Sequence, residues 1–287
     1  MSKTTFETLL NIPIRNEKDF FQYVRALYEE WCTRSKAEYS TLRKLEQKLS
    51  GLSAELPPQF FTGDIHSPVV VISLNPHADI KGRKSEIRAA DYCKNWQEYL
   101  DFWTDFPRRR YAGDARSKDG LLSKFDCRLH RFLRGDVSGV TGDDLAQWNM
   151  FHMELFPIAS SSFTTKDVDA DLYPFILRSL EAISLFPRDL VLVLNRQLPT
   201  LLKRMARNSE IELTEKPESP VQIQGRKSKG ARLDYTVKLP NGSCISIVGA
   251  PTFAAQGFDG SSLADYSKKL FLPAEHTILQ KALGISC

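Results

Sequence analysis

A chain of 287 residues with 42% hydrophobic residues is long enough to bury a sizeable core, and 39 basic against 35 acidic residues leave a net charge of only +4. That charge is too small to establish an anionic partner by itself, so the placement of charge along the chain carries the information. No run approaches the roughly 20 apolar residues needed to cross a bilayer, and Met1-Ser2-Lys3-Thr4-Thr5 leads into an amphipathic segment without a signal-peptide core. The expectation is a cytoplasmic protein with no membrane partner.

Apolar residues Phe20, Tyr23, Val24, Leu27 and Tyr28, then Leu42, Leu45 and Leu49, recur at three- and four-residue spacing, which predicts helix from Phe6 to about Leu52. Pro57-Pro58 closes this stretch and sets residues 1–58 apart as an N-terminal helical extension of the α/β domain expected over 59–287. Val69 to Leu74 (VVVISL) reads as a buried parallel strand ending at Asn75-Pro76-His77. Helix is expected around Ser85 to Trp103, an irregular stretch over Phe106 to Lys118, and an amphipathic segment over Leu121 to Leu133. A second strand falls at Trp148 to Phe156, and Tyr173 to Phe186 is helical. A third strand covers Asp189 to Leu194, followed by helix from Leu198 to Asn208. Arg232 to Lys238 and Ser243 to Val248 alternate across Pro240-Asn241-Gly242, a hairpin signal with Asn-Gly supplying the tight turn. Glu215 to Gly230 reads as a polar linker. Strands alternating with helices predict a three-layer α/β/α sandwich around a mainly parallel sheet of four to five strands.

Ligands of open α/β sheets collect beyond the carboxyl ends of the strands, so polar groups there are the candidates for chemistry. Four such ends follow in order: Asn75-Pro76, Glu154-Leu155-Phe156-Pro157, Asn195-Arg196 and Gly249-Ala250-Pro251-Thr252. A plain Asx-Pro turn is the alternative at the first, and a structural salt bridge is the alternative for Glu154. The five cysteines show no paired or Cys/His spacing, so reduced thiols and no metal are expected. No GxGxxG, GxxxxGK[ST] or GxSxG occurs, which disfavours a nucleotide-binding or hydrolase domain of those kinds.

In the order and placement of these strand ends, from about Val69 to Phe258, the chain resembles the uracil-DNA glycosylase superfamily. That resemblance implies a monofunctional DNA glycosylase, with DNA as partner, without metal or organic cofactor, acting as a monomer. Asn75 matches the residue that positions the attacking water in several branches; an amide orients water without titrating. Asp79 is the candidate acid-base partner, with a helix cap or solvated carboxylate as the alternative. His77, Phe156 and Asn195 border the base. Glu154 stands where several branches carry an Asn that reads uracil, and a carboxylate there suits the exocyclic amino group of cytosine. A modified cytosine, of the hydroxymethylated or glucosylated kind met in phage genomes, is therefore the expected base, with antiphage defence as the setting. The last motif lacks the His that many members place before Pro. Phe253 or Gln256 is the candidate wedge into the base stack, beside Pro251 and Thr252; a buried Phe closing the sheet is the alternative for Phe253. Arg108, Arg109 and Arg110, then Arg226, Lys227 and Lys229 with Arg232, and the hydroxyls of Ser160 and Ser161, are candidate phosphate contacts; solvated charge runs and a polar loop are the alternatives. A catalytically inactive nucleic-acid-binding protein of the same fold is the rival reading.

Overall fold

The computed structural model describes residues 6–33, 41–42, 45, 49, 52–53, 56–74, 94–106, 108, 124–160, 165–224, 230–251, 253 and 260–285. Its centre is the β-branched run that the sequence singles out. Strand β3 (Val69–Ser73) pairs in parallel with β4 (Phe151–Glu154) on one side and with β6 (Leu190–Val193) on the other. Strand β10 (Cys244–Gly249) adds to β6, also in parallel. These four strands therefore point the same way, and their carboxyl ends share one edge of the sheet.

The sheet extends beyond them. A short β2 (Phe61–Thr62) joins β4 antiparallel, while β9 (Gly230–Lys238) forms the hairpin with β10 and carries both β7 (Glu212–Glu215) and β8 (Ser219–Val221). The result is an eight-stranded sheet in the order β2-β4-β3-β6-β10-β9-β7, with β8 on β9, rather than the four to five strands expected. Separately, β1 (Leu52–Ser53) pairs with β5 (Ala159–Ser160). Leu239 bonds Ser243 across the hairpin, and Gly242 at φ +87° occupies the left-handed region that glycine enters without steric cost. Within the stretch expected as a linker, Ser219–Val221 forms edge strand β8, while Glu215 ends β7 and Gly230 begins β9.

Alternation along β3 sends Val70 and Ile72 to one face and Val69 and Val71 to the other, and each face is closed by its own helical layer. On the first face lie α1 (Phe6–Leu10), α2 (Glu17–Cys32), α3 (Trp96–Thr104), α6 (Tyr173–Ser184) and α7 (Gln197–Arg207). On the second lie α4 (Lys124–Arg134), α8 (Gly260–Leu270) and α9 (Pro273–Ala282), with the short α5 (Gly142–Ala146) beside α4. This is a three-layer α/β/α arrangement. The N-terminal helices are part of the first layer. Phe20, Tyr23, Val24 and Leu27 of α2 are buried in the same apolar cluster as Val70 and Ile72, each worth roughly 1.5–3 kcal/mol relative to exposure. The stretch expected as continuous helix from Phe6 is broken between α1 and α2, where Pro13 removes a backbone donor and Asn16 caps α2 by accepting from Asp19 N–H.

A buried ion pair ties α6 to the segment between α1 and α2 within this layer. Arg178 and Glu181 of α6 stand 3.1 Å apart, and the other Glu181 oxygen accepts from Ile14 N–H at 2.7 Å. Burial raises the Glu181 pKa and lowers that of Arg178. On the opposite layer Arg232 donates to Asp234 and to both oxygens of Glu275, tying β9 to α9. Hydrogen bonds to Glu275 and Asp234 raise the Arg232 pKa, so this arginine is spent within the fold. Among the described residues no helix is long and apolar enough to cross a membrane.

Candidate functional site at the carboxyl edge of the sheet

Parallel register sets Val71 opposite His152 and Ser73 opposite Glu154, so all four side chains project from one face, toward α4. Ser73 Oγ and His152 Nε2 are 2.6 Å apart, a hydrogen bond between the ends of two adjacent strands. His152 Nε2 also stands 3.7 Å from Glu154 Oε1, close in charge terms but beyond hydrogen-bond length. Glu154 is buried, and its Oε2 has no hydrogen-bond partner among the described residues.

An ionised carboxylate in such a place loses its hydration with nothing in exchange, so burial pushes Glu154 up to about 8. Burial acts the other way on the imidazole, lowering His152 to about 4 against the opposing pull of Asp126. Both groups are therefore neutral near pH 7. The site presents a carboxylic acid, with one donor and one acceptor, rather than a carboxylate with acceptors alone.

Helix α4 closes the face above these groups. The Phe125 ring, 43% exposed, stacks on the His152 ring at 6.4 Å and meets the Phe253 ring edge-on at 6.0 Å. Phe253 follows the turn after β10, where Ala250 N–H donates to Val193 O and Phe253 N–H to Ala250 O. Arg128, one turn along α4, donates to Phe253 O at 2.6 Å and lies over its ring at 5.2 Å. A continuous set of contacts thus joins the ends of β3, β4 and β10: Ser73, His152 with Glu154, Phe125, and Phe253.

The candidate residues fall differently around this set. Glu154 is at its centre. Pro251 is buried in the turn that leads to Phe253. Phe253 itself is 3% exposed and packed on Phe132, so the ring offered as a wedge closes the core instead. Phe156 is also core, its N–H bonded to Leu74 O and its ring beside Phe175 on the other face of the sheet. Asn195 ends β6, where its side-chain oxygen accepts from Gln197 and Leu198 N–H and caps α7. Ser160 lies in β5, paired with Leu52. Arg108 is not at this edge: its guanidinium is ion-paired with Asp105 at 2.8 Å, next to the amino end of β3. There it borders a cavity of about 470 Å³ whose lining includes four carboxylates, Glu17, Asp64, Asp101 and Asp105. Asn75, His77, Asp79, Arg109, Arg110, Ser161, Arg226, Lys227, Lys229, Thr252 and Gln256 lie outside the described residues.

Sequence reasoning missed Ser73, His152, Phe125 and Arg128. His152 was within reach, because residues two apart on a strand share a face and Glu154 was already singled out. Among the described residues no group of three or more His, Cys, Asp or Glu is placed to hold a metal ion, and Cys32, Cys127 and Cys244 are free. No protein-family model matches the chain, and no curated protein or solved structure matches it significantly.

Proposed function

We propose that the chain is a monofunctional DNA glycosylase that extrudes a nucleotide and hydrolyses its N-glycosidic bond with water, with Glu154 reading the edge of a cytosine-type base. One observation carries this reading. A buried carboxyl, its pKa pushed up by burial, holds an unpartnered oxygen at the edge of the sheet where three strand ends meet. Such an acid matches a cytosine edge, accepting from the exocyclic amino group and donating to N3. The exposed face of Phe125 beside His152 offers an extruded ring an apolar surface. The order of strand ends along the sequence, Asn75-Pro76, Glu154 and Ala250-Pro251, supports the same reading. Substituted cytosines of the hydroxymethyl or glucosyl kind, and a role against phage DNA, are the extension of it.

The test is mass spectrometry of bases released from DNAs carrying cytosine, uracil, 5-hydroxymethylcytosine or its glucosylated form, with abasic sites scored by strand cleavage. The expected result is release of one cytosine-derived base, abolished by Glu154→Ala while DNA binding persists. DNA binding without release from any of these substrates would leave a binding protein of the same fold instead.

A further inference from the structure

The site has a buried acid, and Ala250, not a histidine, stands before Pro251. Resting on the glycosylase reading, we propose that Glu154 is the leaving-group acid, passing the proton on Oε2 to a ring nitrogen of the departing base. The geometry sets the two oxygens apart. Oε1 faces the Ser73–His152 pair, whereas Oε2 is buried with no partner among the described residues.

A cytosine ring leaving as an anion is a poor leaving group, and a proton on N3 lets it leave neutral. In the step, the C1′–N1 bond breaks with its electron pair moving into the ring, the Glu154 O–H bond breaks, and an N3–H bond forms. Water bonds to C1′ and releases its proton to solvent. The carboxylate regains a proton from solvent once the base has left. The groups around the acid favour this cycle. From β3 comes only the Ser73 hydroxyl, from its own strand a neutral His152, and from α4 the carboxylate of Asp126, which acts on His152. On α6 the charges of Arg178 and Glu181 are paired with each other, Glu181 also accepting from Ile14 N–H, and it is the Ser179 hydroxyl that reaches the Glu154 carbonyl. No described cation pairs with Glu154 to hold it ionised.

The experiment is single-turnover base release by the wild-type protein and by Glu154→Gln from pH 5 to 10, on whichever modified-cytosine DNA the wild type cleaves. Wild-type release should fall tenfold per pH unit above about 8. Glutamine keeps a donor but has no proton to transfer, so Glu154→Gln should bind DNA normally, lose roughly 10²–10⁴-fold in rate, and lose the alkaline limb. A Gln variant that keeps the wild-type rate, or a wild-type profile flat through pH 9, overturns the acid role while leaving the glycosylase reading intact. No release by the wild type from any substrate overturns both. Infrared spectroscopy gives a second readout independent of turnover: a protonated carboxyl stretch at pH 7, present in the wild type and missing in Glu154→Gln, is expected, and its absence from the wild type also overturns the assignment.

Discussion

At the scale of single residues, Glu154 shows how a position readable in sequence acquires its chemistry only in three dimensions. Its place at a strand end follows from the pattern MELFP, but its protonation depends on a register that no local pattern contains. Ser73 and His152 are 79 residues apart, and they meet because β3 and β4 pair in parallel with Ser73 opposite Glu154. Asn195 teaches the converse. A polar residue after a strand is as useful for capping the next helix as for meeting a ligand, and here its oxygen caps α7. The neutral acid also has a thermodynamic consequence. The folded-state pKa of Glu154 is raised to about 8, so between the unfolded value near 4.5 and that point the unfolded chain binds fewer protons and stability falls as pH rises. Glu154→Gln removes this dependence. Urea midpoints of variant and wild type should converge near pH 4 and separate toward pH 8, with the variant the more stable by a few kcal/mol. His152 works in the opposite direction, its lowered pKa costing stability as pH drops from about 6.5.

At the scale of elements, the strongest periodicities were the most legible. The VVVIS strand, the DLVLVL strand, the Asn-Gly hairpin and the α6 and α7 helices all stand within a few residues of where the pattern puts them. The failures have physical causes. Strands β7 and β8 are polar edge strands held by backbone pairing to β9, and β8 contains Pro220, so neither carries the apolar alternation that marks a strand. Two basic residues are engaged within the fold: Arg232 serves a three-way ion cluster and Arg108 a local pair. Between β2 and β3, Gly63 at φ +88° packs so closely that an added Cβ would stand 2.0 Å from Met150 O. Gly63→Ala should therefore lower stability by about 3 kcal/mol or more, read as a drop in urea midpoint at unchanged slope; a loss under about 1 kcal/mol would show that this turn relaxes freely. Removing Glu181 strands Arg178 in the interior and frees Ile14 N–H, so Glu181→Ala should cost about 3–5 kcal/mol and expose α2 to amide exchange.

At the scale of the whole molecule, the two edges of the sheet differ in character. The amino edge carries an open cavity whose lining includes four carboxylates, while the carboxyl edge gathers a neutral acid, a histidine, a hydroxyl and two phenylalanines. The fold class was legible because alternating strands and helices admit few architectures. The cavity at the amino edge is the poorer candidate for base recognition, since its four carboxylates disfavour a phosphodiester backbone. The proposed function requires a nucleobase docked against Glu154. A crystal structure of the protein bound to an oligonucleotide bearing a hydrolysis-resistant analogue of the released nucleotide tests it most directly. The extruded base is expected with its N3 edge within hydrogen-bond distance of Glu154 Oε2 and its ring against Phe125; a base left stacked in the duplex, or DNA lodged at the amino edge with Glu154 untouched, would overturn the proposal.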